Sequence, residues 1–485
     1  MITKITSLLM IATIVAIMAP LSANAESAPD TPDSRYVYNV NGAGATFPFP
    51  LIDLWRVEYN NDFDNVNLNY QSIGSGGGIK QHIEKTVNFA ATDAPLTVKE
   101  RALVPNTLHI PETMGGVTVT YNIPEVPKSG LKLTGKVISG IFMGNITKWN
   151  DPKIKEHNPG LNLPNQDIVV AHRSDGSGTT FVFTDYLATV DPDPGWGKKV
   201  GKGKSVPWPR GLAAAGNEGV SGIVKSTTYS IGYVELAYAF QTGMTVADVQ
   251  NGDKNKFVAP TIDSITAAAA SIVDKLPAAE ADWAAVSMVN APGPDSYPIS
   301  SLTYLLVYED LKKTSKNQEE AKAMLHMIYW MITDGQEFSK SLLYPKLPDK
   351  IVELGKKGLS RVTYDGEVLW KYDASVKTTE TKTTKKVELT KKEIDAKKVA
   401  DGKLKAADAK KAADAKKAAD AKKADDAKKA ADAKKAADAK KAADAKKAAD
   451  AKKADDAKKA ADAKKAADAK KAADAKKAAD AKNPK

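Results

Sequence analysis

The stretch that most constrains this chain is Arg173-Ser174-Asp175-Gly176-Ser177-Gly178-Thr179. It follows an apolar run, Ile168-Val169-Val170-Ala171, that reads as a strand. It precedes Phe181, Val182, Phe183, Tyr186 and Leu187, which read as a helix. A strand, a tight turn of glycine and hydroxyl residues, then a helix presents free backbone N–H groups to an anion. Gly176 and Gly178 let the backbone turn sharply and approach a ligand. Ser177 and Thr179 can cap the helix or donate hydroxyls. Arg173 adds a planar donor fork suited to oxyanions. Alone, the stretch reads equally well as an ordinary loop with a helix cap.

The pattern recurs, and recurrence shifts the balance. Asn41-Gly42-Ala43-Gly44-Ala45-Thr46-Phe47-Pro48 is a second such turn before a helix carrying Leu51, Leu54, Trp55 and Glu58. Ile73-Gly74-Ser75-Gly76-Gly77-Gly78 is a third, followed by Ile79, His82 and Ile83 at helical spacing. Three helix starts, each with a hydroxyl at the turn, could converge on one small tetrahedral oxyanion. Tyr36–Val40 and the alternating Val66, Leu68 and Tyr70 read as the strands feeding the second and third turns. Strand–turn–helix repeated in this way implies an α/β sheet with ligand groups at the C-terminal ends of its strands.

The 485 residues exceed one ordinary domain. Met1–Ala25 has Lys4, an apolar core from Ser7 to Met18, and Ala23-Asn24-Ala25 as a cleavage site. It reads as a secretory signal peptide, with a retained membrane helix as the alternative that Pro20 and the short core argue against. The mature protein is therefore expected outside the cytoplasm, periplasmic or on the cell surface. The absence of cysteine excludes disulfides, thiolate catalysis and thiolate metal sites. The five histidines, His82, His109, His157, His172 and His326, show no metal-ligand spacing, so no metal and no cofactor is expected.

The net charge of +11 conceals two regions of opposite sign. Residues 376–485 carry a net charge of +16 and the rest of the chain −5. Within the body, Phe89–Leu96 reads as a strand leading into a turn at Asp93, whose local reading is a cap. Gly115-Gly116 followed by Val117–Tyr121 reads as a crossing into a second domain. Residues 131–160 are helix-like with turns, and 191–211 form a long loop. Gly219–Ser226 and Ile262–Ile272 read as helices, and Ile231–Val234 as a strand with a helix from Glu235. Ser300–Tyr308 reads as a buried strand returning to the first domain. Glu319–Thr333 reads as a helix stopping at Asp334-Gly335. Trp370 and Tyr372 close the body.

The set of segments resembles the phosphate-binding proteins of ABC-type phosphate importers, the PstS type. The matching residues are Gly42–Pro48, Ile73-Gly74-Ser75, Thr92-Asp93-Ala94-Pro95-Leu96, Arg173-x-Asp175-Gly176-Ser177-Gly178-Thr179, Ile231–Glu235 and Tyr297-Pro298-Ile299, in family order across 36–372. The resemblance implies a two-lobe, type II periplasmic-binding-protein fold whose hinge is crossed twice. Lobe I would be 36–113 with 297–372, and lobe II 114–296. It implies that phosphate is contacted by Thr46, Phe47 (backbone N–H), Ser75, Asp93, Arg173, Ser177, Gly178 (backbone N–H) and Thr179, with Asp175 holding the Arg173 fork. Ser174 replaces the family's usual Ala, and Gly76 stands where Ser is common; neither removes a side-chain ligand.

An ionised Asp93 can only accept hydrogen bonds. It would be satisfied by a P–OH but left against a bare oxygen by sulfate, so it would select phosphate over sulfate. The expected partners are inorganic phosphate and the membrane subunits of an ABC permease, with the chain acting as a monomer. No enzymatic activity is expected: a phosphatase would need a nucleophile with a base or a metal, and neither constellation is visible. The other reading is a surface-attached oxyanion-binding or structural protein whose tail carries the main role.

From Val376 the chain changes character. Residues 376–405 read as a linker, and from Ala406 the hexad Ala-Ala-Asp-Ala-Lys-Lys repeats twelve times, with Asp425 and Asp455 replacing Ala in two copies and a partial copy ending at Lys482. Ala and Lys favour helix, but a six-residue period of about 100° per residue rotates each copy by about 240°, so no apolar stripe forms. The tail over 406–482 is expected to be a solvated helix or a disordered basic chain. It could be a passive spacer or an electrostatic tether to an anionic cell envelope. Nucleic acid is not expected, given the export signal and the lack of interleaved aromatics.

Overall fold

The computed structural model describes residues 28–372, 458–459 and 461–476. The expected signal peptide (1–25), the linker (376–405) and the rest of the repeat lie outside the described residues. Residues 461–476 are helical and every side chain there is exposed, in keeping with a hexad that forms no apolar stripe.

The body is an α/β structure built on one nine-stranded sheet. In chain order its strands are β1 (Tyr38–Gly44), β2 (Val66–Ser72), β3 (Phe89–Thr92), β4 (Thr107–Asn122), β5 (Val169–Arg173), β6 (Leu212–Ala214), β7 (Ser230–Glu235), β8 (Thr245–Val246) and β9 (Ser300–Tyr308). Spatially they run β2-β1-β3-β9-β4-β7-β5-β6, with β8 beside β4. The strands on either side are parallel, β1 with β2 and β3, and β5 with β6 and β7. Their C-terminal ends therefore carry the turns read in the sequence.

The centre of the sheet explains how the chain makes two lobes. Strand β4 is sixteen residues long and all but its last residue is buried. Its first part, Thr107–Gly116, pairs antiparallel with β9, and its second part, Val117–Asn122, pairs with β7. One strand thus crosses between the halves without a break, and the crossing read at Gly115-Gly116 lies inside it. The second crossing is beside it, where Val117 N–H donates to Ile299 O at 2.8 Å. The β4–β9 register slips at Thr303/Tyr304 and leaves Glu112 as the extra residue of a bulge. Bulges re-aim side chains next to functional sites.

Four helices face the junction: α1 (Phe49–Asp62), α2 (Ser75–Ile83), α3 (Gly178–Val190) and α4 (Gly216–Ser226). Pro48 and Pro50 suit the start of α1, which buries Leu51, Ile52, Trp55 and Tyr59 on one face. Trp55 is fully buried and its indole donates to Gly335 O at 2.7 Å. Burying a large apolar side chain of this kind stabilises by roughly 1.5–3 kcal/mol. The Met and Trp residues of the helix Gln318–Ile332 are buried as core.

Three expectations shift. Asn41–Gly44 belongs to β1, so the second turn is only Ala45–Pro48. Gly76, Gly77 and Gly78 lie inside α2 rather than in the turn before it. A Cβ on Gly76 would meet Gly176 Cα at 3.0 Å, and Gly76 N–H donates to Gly176 O at 2.8 Å. Close approach of two backbones outweighs the poor helix propensity of glycine. The loop 191–211 contains a short helix, Trp196–Lys199, that buries Trp196.

Candidate functional site

The site forms where β1, β3 and β5 end and α2, α3 and α4 begin. Ser177 caps α3, its Oγ accepting the Thr180 N–H at 3.0 Å, and leaves the Gly178 N–H free of the helix ladder. That N–H donates instead to Ser75 Oγ, in the other half of the sheet, at 3.1 Å. Gly178 is required here, because a Cβ would collide with Ser75 Oγ at 2.5 Å and with Asp93 Oδ2. Ser75 Oγ also accepts the Asp93 N–H at 3.3 Å.

Arg173 ends β5 and is 3% exposed, so the cation is lost to water and must be held by the protein. Asp175 holds it bidentately, from Nε at 2.7 Å and Nη2 at 2.5 Å. Burial raises the Asp175 carboxyl, but the Arg173 fork overrides this and keeps its pKa below the usual range. The remaining nitrogen, Nη1, makes a long contact of 3.5 Å with Thr179 Oγ1. Asp175 Oδ1 also accepts the Gly216 N–H at 3.2 Å.

Asp93, just past β3, is 1% exposed. Burial pushes its carboxyl up to about 7, against the opposing pull of Arg173. Its Oδ2 lies 3.5 Å from Thr179 Oγ1, and among the described residues its buried Oδ1 has no hydrogen-bond partner. Thr46, 2% exposed, enters from the turn after β1. Phe47 lies beneath it, fully buried, with its carbonyl accepting Tyr344 OH at 2.7 Å. Hydrogen bonds thus link Ser75, Asp93, Arg173, Thr179 and the Gly178 N–H directly, and Thr46 through Asn217, into one buried cluster, while Ser177 is buried as the cap of α3 and Phe47 next to Thr46 in the chain.

Two residues of the cluster escaped the sequence reading. Asn217, in the first turn of α4, is fully buried and bonds both Thr46 and Thr179. Glu235 was read as a helix start within a matching segment, with no part in the site; it caps Leu236–Gln241 by accepting the Ala237 N–H at 2.8 Å. It is fully buried beside Tyr344, and burial holds its carboxyl well above the usual range. Glu112 at the bulge completes a trio of buried carboxyls: burial pushes it up to about 8, and its Oε1 accepts Thr303 Oγ1 at 2.6 Å.

Residues 23–334 match the PBP superfamily domain. A phosphate-binding protein PstS of Pasteurella multocida is 39% identical over 338 residues, covering 68% of this chain and 93% of its own. The chain belongs to the PstS family of phosphate-binding proteins. A PstS of Haemophilus influenzae is 42% identical over 320 residues, covering 65% of this chain and 90% of its own. Among solved structures, the high-affinity periplasmic phosphate-binding protein PfluDING, bound with phosphate, shares the fold at a TM-score of 0.51 and 17% identity, over 66% of this chain and 92% of that one. The two-lobe periplasmic-binding-protein fold expected from the sequence is the fold of this family. No helix among the described residues is long and apolar enough to cross a membrane.

Proposed function

We propose that this chain captures inorganic phosphate between its two lobes outside the cytoplasm and delivers it to the membrane subunits of an ABC-type phosphate importer. The observation that carries this reading is the composition of the buried cluster. One cation, two turns of backbone N–H groups and several hydroxyls converge around Asp93, a buried carboxyl whose Oδ1 has no hydrogen-bond partner among the described residues. Such a site attracts a small oxyanion and offers one place where the anion itself must donate a proton.

In this reading Arg173, Gly178 N–H, Phe47 N–H, Ser75, Ser177, Thr46 and Thr179 donate to phosphate oxygens, and Asp93 accepts the P–OH. Asp175 aligns the guanidinium. Lobe I spans 36–113 and 297–372, and lobe II 114–296; the change of partner along β4 after Gly116 supports a boundary close to this. Closure brings Gly76 against Gly176 and Ser75 against Gly178, sealing the ion from water. The role is binding and delivery, without catalysis, by a monomer. The basic tail is read as an electrostatic tether to the anionic envelope, which a salt wash of whole cells would release while leaving a membrane-inserted protein in place.

Calorimetric titration of the purified chain with phosphate, and separately with sulfate, tests the reading. Binding of phosphate with no heat from sulfate supports it. Binding of both, or of neither, would mean that the cluster holds another anion.

A further inference from the structure

Asn217 makes four hydrogen bonds, and together they dictate what its neighbours can do. Its Oδ1 accepts the Glu235 N–H at 3.0 Å. A backbone N–H can only donate, so the amide cannot be turned around, and its NH2 must face the other way. That NH2 donates to Thr46 Oγ1 at 2.7 Å and to Thr179 Oγ1 at 3.3 Å. The Asn217 backbone N–H also donates to Thr46 Oγ1, at 3.2 Å.

A hydroxyl has two acceptor sites and one proton. Both acceptor sites of Thr46 are filled by Asn217, so Thr46 can act only as a donor. Thr179 accepts from Asn217 and, at 3.5 Å, from Arg173 Nη1, so its proton can only be donated, and it points at 3.5 Å toward Asp93 Oδ2. Ser75 is in the same state through backbone alone, accepting Gly178 N–H and Asp93 N–H. Three hydroxyls are thus polarised as donors around one carboxyl that accepts. Thr46 comes from one lobe and Asn217, Thr179 and Glu235 from the other, so the polarity of Thr46 is set only when the lobes meet.

We propose that Asn217 is a positioning residue that turns Thr46 and Thr179 into obligate donors on closure, and so matches the site to a tetrahedral oxyanion with few protons of its own. The proposal rests on the phosphate reading above. It assigns Asn217 no direct contact with the ion. Without its amide, Thr46 regains an acceptor site that a second P–OH can fill. The site would then lose affinity for the dianion while becoming more tolerant of the singly charged, doubly protonated form.

The test is phosphate titration of the full chain and of Asn217→Ala across the pH range in which phosphate takes up its second proton. The other ionisable groups around the amide, Asp93, Arg173, Asp175 and Glu235, are present in both proteins. The ratio of variant to parent affinity at each pH therefore isolates the amide. The expected result is a loss of roughly tenfold or more at alkaline pH that shrinks toward acid. A loss of equal size at every pH would mark Asn217 as packing only and overturn the proposal, as would unchanged affinity.

If Asn217→Ala does not fold, Asn217→Asp has the same shape. Its carboxylate would draw in the protons of Thr46 and Thr179, so binding should be lost and should return as acid protonates the introduced group. Binding that stays lost in acid would overturn the proposal. If the parent protein itself binds no phosphate, the functional reading fails independently of either variant.

Discussion

The two lobes contribute unlike halves to the same site. The second supplies charge: Arg173, aligned by Asp175, and the N-terminus of α3 with its free Gly178 N–H. The first supplies no cation. It brings two hydroxyls, Thr46 and Ser75, and one carboxyl, Asp93, whose pKa burial has raised to about 7. On the proposed reading, one side attracts an anion of any kind and the other sets conditions on which anion is accepted. Affinity and selectivity should therefore respond to different substitutions.

The largest effect should follow loss of the cation. Arg173→Met leaves Asp175 without its guanidinium and removes the buried cation of the site, which should weaken phosphate binding by about 2–5 kcal/mol, measured by titration. Arg173→Lys keeps the charge but not the fork, so it should fall between the parent and Arg173→Met. Neither should bring in sulfate; if either did, selectivity would not reside in the first lobe.

The next effect separates the buried carboxyls from the ion. Glu112 is pushed up to about 8 from an ordinary carboxyl value. A carboxyl that binds its proton more tightly in the folded state stabilises the fold fully below its unfolded pKa, and this contribution is lost as pH rises through the folded value. Glu112→Gln should remove that loss. Between about pH 4.5 and 8 its stability should fall less steeply than the parent's, by up to about 1.4 kcal/mol per pH unit, read from urea midpoints. In the lower part of that range, the buried histidines His82, His109 and His326 act oppositely. Burial depresses their pKa values to about 3, 3 and 4, so their contribution is lost as pH falls below the ordinary histidine value. Parallel pH profiles for parent and variant would show that Glu112 stays ionised.

The smallest effect should come from the rim. Lys204, in the loop after α3, pairs with Glu100 of the first lobe at 2.8 Å, with both side chains largely shielded from solvent. Lys204→Met should weaken phosphate binding by only about 1 kcal/mol, mainly through faster release, and the difference should shrink only partly at high salt, because the pair is shielded from solvent. A loss as large as that of Arg173→Met would move the attraction from the buried fork to the rim.

How much of this was legible in the sequence follows from where each residue finds its partners. Arg173, Asp175, Ser177, Gly178 and Thr179 fall within seven residues, so one strand, one turn and one helix start show an anion-binding pattern, to which the family resemblance added the pairing of Asp175 with Arg173. Ser75 and Thr46 were legible because they sit in turns of the same kind. Glu112 was not, since its bulge arises from pairing with Thr303, 191 residues away. Asn217 was also hidden: it looks like any first-turn helix residue, and its meaning lies in Thr46, 171 residues earlier. The glycines of α2 were misread as a turn because close approaches, of Gly76 to Gly176 and of Gly78 to the Ala43–Gly44 backbone, outweigh local propensity. Local chemistry was visible; chemistry set by strand pairing or lobe contact was not.

The central claim is that Asp93 does the selecting, and the most direct measurement is phosphate binding in competition with sulfate for the parent and for Asp93→Asn. The amide has nearly the same shape but can donate to a bare oxygen. The expected result is that sulfate fails to compete in the parent, while in Asp93→Asn the preference for phosphate narrows by roughly tenfold or more. An unchanged preference in the variant would contradict the account.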